Sequence, residues 1–236
     1  MEIYQSQLQV RHHECGPDRL MRLSLILDIL QDAAAEHADR LGCGLEALQE
    51  NSAIWVLSRL KLIFHRRPAL GEKLTITTYP TGVDKLFALR EYRLTNEADE
   101  LLLSGTSGWL VLDRETLRPQ RPGKMFAFLE NSDLPVTFPK LDKLEERKDP
   151  VKCGTYAIGS SMIDMNCHLN NAYYSAFVQD ALGTADIAGL QLNFLHGCLE
   201  RSCLETFRQI EDKTAYICGI ESGSGKLSFQ AEAMLK

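Results

Sequence analysis

One feature restricts the fold of this chain more than any other. A long apolar-faced helix is followed by a run of strands joined through short turns, and that order occurs twice. The first occurrence opens with the strand-like YQSQLQVR and changes period near Leu20. RLMRLSLILDILQDAAAEHADRLG is rich in Leu and Ala at helical spacing, with Gly42 placed to stop it. SAIWVLSRLKLIF, KLTITTYPTG, LFALREYRLTN and LLLSGTSGWLVLD then read as strands, split by RRPALGE, by a turn at Thr81–Lys85 and by EADE. In the second occurrence TYAIGSSMI reads as a strand, and a helix begins within or after HLNNAYYSAFVQDALG. LQLNFL, CLETFRQIED, TAYICGIES and LSFQAEAML follow as strands. QDA stands at 31–33 and again at 179–181, and a second overlay sets Phe64 on Phe194 and Leu74 on Leu204. Such short turns leave no room for parallel crossovers. The expectation is an α+β chain built by internal duplication, two antiparallel sheets each wrapped around a long central helix.

Between the two parts, ENSDLPVTFPKLDKLEERKDP carries three prolines and mixed charge. It places a linker over 131–150, between an N-terminal domain at 1–130 and a C-terminal domain at 151–236. The net charge of -6 gives no support to nucleic-acid binding. Seven cysteines without a CxxC pair argue against a disulfide framework or a zinc knot and for a reducing, cytoplasmic compartment. No apolar run approaches the ~18 residues a membrane helix needs. GxGxxG, P-loop and GxSxG signatures are all missing, so no cofactor is expected.

The chemistry concentrates in IDMNCHLNNAY, residues 163–173. The QDA overlay sets Gly16 against Asp164, Asp18 against Asn166 and Leu20 against His168, so only the second part carries D-x-N-x-H. In an extended or loosely turned segment these three side chains share one side. His168 can then donate or accept near neutral pH, with Asp164 fixing its tautomer or holding a water. Asn166 offers an N–H to a developing oxyanion. Asn170 and Asn171 read as helix caps, and a turn-plus-cap reading of the whole stretch stays open. No third and fourth ligand is spaced with Asp164 and His168, so no metal is expected.

These residues resemble the acyl-acyl carrier protein thioesterases of plant plastids and bacteria. The resemblance runs through the first helix, IWVLSRLKLIFHRRPALGEKLTI, WLVLD and IDMNCHLNNAYY. It implies a tandem double hotdog fold and hydrolysis of the thioester between a fatty acyl chain and the phosphopantetheine arm of acyl carrier protein, in fatty acid biosynthesis. Asp164, Asn166 and His168 match the family's active-site residues. Asn166 and His168 would position the carbonyl and stabilise its oxyanion, with Asp164 orienting them or helping to hold water. The family's usual glutamate falls on Gly197, with Cys198 beside it, which leaves the general base open among Asp164, a displaced Glu200 or a nucleophilic Cys198.

A basic cluster, Arg59, Lys61, His65, Arg66 and Arg67, is a solvated face or a docking patch for the acidic carrier. His37 is expected on the outer face of the first helix. Cys43, Cys153, Cys203 and Cys218 are expected to be small buried hydrophobes. Other readings are an acyl-CoA thioesterase and a non-catalytic acyl-binding hotdog protein marked by Gly197. The expected assembly is a monomer or homodimer.

Overall fold

A computed structural model describes residues 2–121 and 134–236. One compact unit comprises the described residues of Met1–Met21 and Asp28–Leu141, the other Arg22–Leu27 and Asp142–Lys236. The expected domain end at 130 and linker residues 131–133 lie outside the described residues.

In the first unit, β1 (Tyr4–Gln9) precedes α1 (Leu23–Arg40, with Asp28 onward in this unit) and a short α2 (Leu45–Glu50). Then come β2 (Ala53–Phe64), β3 (Lys73–Asp84), β4 (Phe87–Asn96), β5 (Leu101–Asp113) and β6 (Pro119–Gln120). The antiparallel order is β1-β3-β4-β5-β2, with β6 on β5. On α1 the buried residues Leu30, Ala33, Ala34, His37 and Ala38 recur every three or four positions, a stripe that faces the sheet. Ala38 and Leu41 pack with Ala88, Val111 and Trp109.

The expected turn at Thr81–Lys85 is an error of one feature for another. Pro80 lies opposite Arg90 and Gly82 opposite Leu89, so Thr81 is the extra residue of a β-bulge and β3 runs on to Asp84. Gly82, at φ 126, takes up the bend. The chain turns only at Lys85–Leu86, between the paired Asp84 and Phe87.

His37 is also not on the outer face expected for it. Its side chain is fully buried, with Nδ1 3.0 Å from Arg90 NH1, which also donates to Thr78 Oγ1 at 3.2 Å. Burial, reinforced by the Arg90 charge, holds its pKa down to about 4, so the neutral ring accepts from the guanidinium.

In the second unit, β7 (Val151–Ala157) precedes α3 (Asn171–Leu182) and β8 (Ile187–Phe194), β9 (Cys203–Glu211), β10 (Thr214–Glu221) and β11 (Leu227–Leu235). The antiparallel order is β8-β11-β10-β9-β7. The strand expected through Ile163 stops at Ala157 and gives way to a 3-10 turn at Ser160–Met162. The Asn170 side chain accepts from Ala172 N at 2.9 Å and caps α3. Tyr174, Phe177 and Val178 bury one face of α3, and Phe177 stacks on Tyr156 with ring centroids 4.1 Å apart. Each unit is thus a hotdog, an antiparallel sheet wrapped on a helix. Cys43 and Cys218 are buried as expected, whereas Cys153 is exposed on β7, whose free edge has no strand beyond it among the described residues.

The depressed His37 gives this fold an acid sensitivity of known sign. The unfolded chain takes up a proton near the ordinary value of 6.5, whereas the folded chain resists it down to about 4. Stability therefore falls as pH drops through that window, by about 3 kcal/mol in all. Urea unfolding of wild type and His37→Gln at several pH values is expected to show a gap that narrows or reverses as pH falls from 7 to 4. A gap constant with pH would show that His37 is not held neutral.

Candidate active site

Residues 163–169 form a tight hairpin rather than an extended segment. Ile163 and Leu169 face each other as a β-bridge, Asp164 N donates to His168 O at 2.8 Å, and Cys167 N donates to Asp164 O at 3.0 Å. Cys167 closes the loop in a left-handed conformation, φ 62, which costs a residue with a Cβ about 1–2 kcal/mol. The Asp164 carboxylate offsets that strain. Its Oδ1 accepts from the backbone N–H of Asn166 at 2.8 Å and of His168 at 3.3 Å. Asp164 is therefore tied to the loop backbone.

The imidazole is oriented by a different atom from the one the sequence suggests. His168 Nδ1 lies 2.8 Å from the carbonyl oxygen of Asn166. A carbonyl only accepts, so Nδ1 carries the proton and Nε2 of the neutral ring keeps its lone pair. Asn166, Cys167 and His168 are all exposed, because the alternation of an extended segment does not survive in this turn.

The hairpin rests on the segment after β8. Leu169 N donates to Cys198 O at 2.8 Å, and the ring of His168 lies over Gly197. A Cβ at 197 would stand 2.5 Å from His168 Cδ2 and 3.1 Å from Cγ, so only glycine admits this ring position. Cys198 points the opposite way. It is fully buried, and its Sγ lies 3.2 Å from Ser228 Oγ. Glu200 is exposed, with its ion-pair partner the adjacent Arg201 at 3.8 Å. The fold thus brings Asp164, Asn166 and His168 into one loop over Gly197. It turns Cys198 into the core and leaves Glu200 on the surface.

The first unit repeats the loop without the chemistry. Gly16 N donates to Leu20 O and Arg19 N to Gly16 O, both at 3.0 Å, and Arg19 has φ 62. Met21 N donates to Pro68 O at 2.8 Å, as Leu169 N does to Cys198 O. Arg67 stands where Gly197 does, and it reaches back to form an ion pair with Asp18, the counterpart of Asn166. One loop is sealed by a guanidinium while the other presents an imidazole.

That pairing also corrects the expected docking patch. Arg67 is buried, bound to Asp18 and, at 3.2 Å, to Met21 O. Arg66 is held by Glu72 at 2.6 Å and Glu100 at 2.8 Å. Arg59 donates to Leu141 O and lies over the Phe87 ring, and Lys61 sits 4.8 Å from the Phe138 centroid. These four cations are engaged within the first unit and do not form an open basic face. Among the described residues no cluster of metal-binding side chains occurs. Ser228, which meets Cys198 beneath the site, carries no signal in the sequence.

Two hotdog units, one of them carrying exposed Asn166 and His168 in a tight loop, define a tandem hotdog protein. The family model described as "Acyl-ACP thioesterase N-terminal domain" matches residues 1–124, and the chain belongs to the acyl-ACP thioesterase family. It is 25% identical over 229 residues to the palmitoyl-acyl carrier protein thioesterase of Gossypium hirsutum, covering 89% of this chain and 55% of that protein. The chain thus spans about half the length of that curated relative. Its fold is similar to that of an acyl-ACP thioesterase from Bacteroides thetaiotaomicron, with TM-score 0.88, 20% identity and coverage of 99% and 98% of the two chains. It is also similar to that of the 12:0-ACP thioesterase from Umbellularia californica, with TM-score 0.84, 18% identity and coverage of 98% and 96%.

Gly197→Ala tests the ring's seat. The methyl must push the imidazole off the segment after β8, and a displacement near 1 Å at a reacting group costs roughly 100-fold in turnover. We expect that loss with a melting temperature close to wild type. Unchanged turnover would show that His168 works from another position.

Proposed function

We propose that this chain hydrolyses the thioester between a fatty acyl group and acyl carrier protein, releasing free fatty acid. The observation that carries the reading is the His168 tautomer. With Nδ1–H committed to Asn166 O, the bare Nε2 is free to take a proton from water. In this reading His168 supplies the base where position 197 is a glycine.

The reaction follows from these groups. Nε2 accepts a proton as the water oxygen bonds to the thioester carbon, and charge builds on the carbonyl oxygen. The exposed Asn166 amide donates to that oxygen. The tetrahedral intermediate then collapses and breaks the carbon–sulfur bond. The proton on Nε2 passes to the departing sulfur, leaving a fatty acid and the free thiol of the carrier. The role left to Asp164 is to hold the loop in which His168 and Asn166 stand. Membership of the family supports a protein carrier over coenzyme A, and the seven free cysteines support the cytoplasmic location that completes this reading.

The test is thiol release from acyl-ACP and acyl-CoA thioesters of medium and long chain length. Turnover is expected on acyl-ACP, to fall at least about 100-fold in His168→Ala, and to survive in Glu200→Ala and Cys198→Ala. Preference for acyl-CoA would change the carrier and keep the chemistry. Tight acyl-ACP binding without turnover would make the chain an acyl-binding protein instead.

A further inference from the structure

Below the floor of the site lies a closed set of hydrogen bonds that the reaction as derived does not use. Ser228, on β11, is 1% exposed, Tyr174, on α3, is 3% exposed, and Cys198 is fully buried. Ser228 Oγ donates to His196 O at 2.6 Å. Tyr174 OH lies 3.1 Å and Cys198 Sγ 3.2 Å from the same oxygen, and Cys198 N donates to Tyr174 OH at 3.4 Å. The directions are forced. His196 O only accepts, so the Ser228 proton goes there, and the Ser228 lone pairs take the Tyr174 O–H and the Cys198 S–H. The backbone of Ser228 adds to the grip, its carbonyl accepting from Leu195 N at 2.9 Å and His196 N at 3.0 Å. Residues 195, 196 and 198 are thus held from one side, with Gly197 between them against the imidazole and Cys198 O accepting from the His168 hairpin.

We infer that Ser228 is a positioning residue for His168, acting through the His196–Gly197–Cys198 backbone, with Tyr174 as its second anchor. The inference rests on the reading of His168 as the base. It also gives Cys198 a definite role, a protonated donor that closes the set from within the core. The chain of contacts is short. From Ser228 Oγ it crosses one hydrogen bond to the peptide before Gly197, and the Gly197 α-carbon meets the ring. Removing the hydroxyl leaves His196 O without its donor and frees that peptide to rotate, which moves the seat of the imidazole.

The experiment follows the His168 ring by its Hδ2–Cδ2 NMR correlation, since Cδ2 is the ring atom facing Gly197, together with kcat and KM on acyl-ACP. Ser228→Ala is expected to shift or broaden that correlation and lower kcat by about 10- to 100-fold with KM nearly unchanged. Ser228→Thr keeps the donor and should restore both. Tyr174→Phe leaves the Ser228–His196 bond and should move the correlation less, in the same direction. Gln230→Ala, which removes a buried 2.9 Å hydrogen bond to Tyr216 from the same strand, is the control for general loosening and should leave the ring signal in place. If Ser228→Ala folds and the ring signal and kcat stay as in wild type, the inference is wrong. If Gln230→Ala moves the ring as much, Ser228 is structural only. Should Ser228→Ala not fold, the Tyr174→Phe shift decides. The ring signal is read without turnover, so an inactive wild type would defeat the functional reading and leave this test standing.

Discussion

The contact between the bare α-carbon of Gly197 and the imidazole of His168 is the constraint on which the site depends. A side chain there would occupy the volume of the ring, 2.5 Å from Cδ2. With glycine in place the ring lies on the segment after β8, and its Nδ1 meets the Asn166 carbonyl. Two linked consequences follow. Glycine at 197 supplies no base, and in the proposed reaction the ring nitrogen left bare by the Asn166 contact takes that task. A residue that looks like a loss in the sequence is the condition for the geometry that replaces it.

The duplicated scaffold explains how so small a loop keeps its shape. Both units turn through the same hairpin, closed by a β-bridge and by a left-handed residue at Arg19 or Cys167 with φ 62. Both then fix the residue after the loop to the carbonyl of a neighbouring segment. Because the fold supplies this twice, the side chains at two or three positions are free to differ. Arg67 and Asp18 seal one copy, and Gly197 and His168 open the other.

Much of this was legible in the sequence. The repeated order of helix and strands gave the fold class. The QDA overlay paired Gly16 with Asp164 and Leu20 with His168, and the hydrogen bonds of the two loops agree with that pairing. What failed did so for physical reasons. Pro80 and Gly82 carry turn chemistry, but a bulge uses the same residues without ending the strand. Alternation placed Asp164, Asn166 and His168 on one side and assigned the tautomer to the acid. A tight turn instead brings the carboxylate to its own backbone and the Asn166 carbonyl to the ring. The arginines near position 66 looked like a free patch because the sequence does not mark Asp18, Glu72 and Glu100 as their partners, and Asp18 and Glu100 lie 49 and 34 residues away. Ser228 was invisible, since a serine near the start of a strand has no pattern that betrays what lies across the core.

The most direct measurement is the tautomer of His168, read from the nitrogen chemical shifts of the neutral ring in a long-range 1H–15N correlation. The account predicts a protonated Nδ1 and a bare Nε2. A neutral ring protonated at Nε2 would contradict it, because His168 would then be a donor to the carbonyl and the base would have to be sought elsewhere.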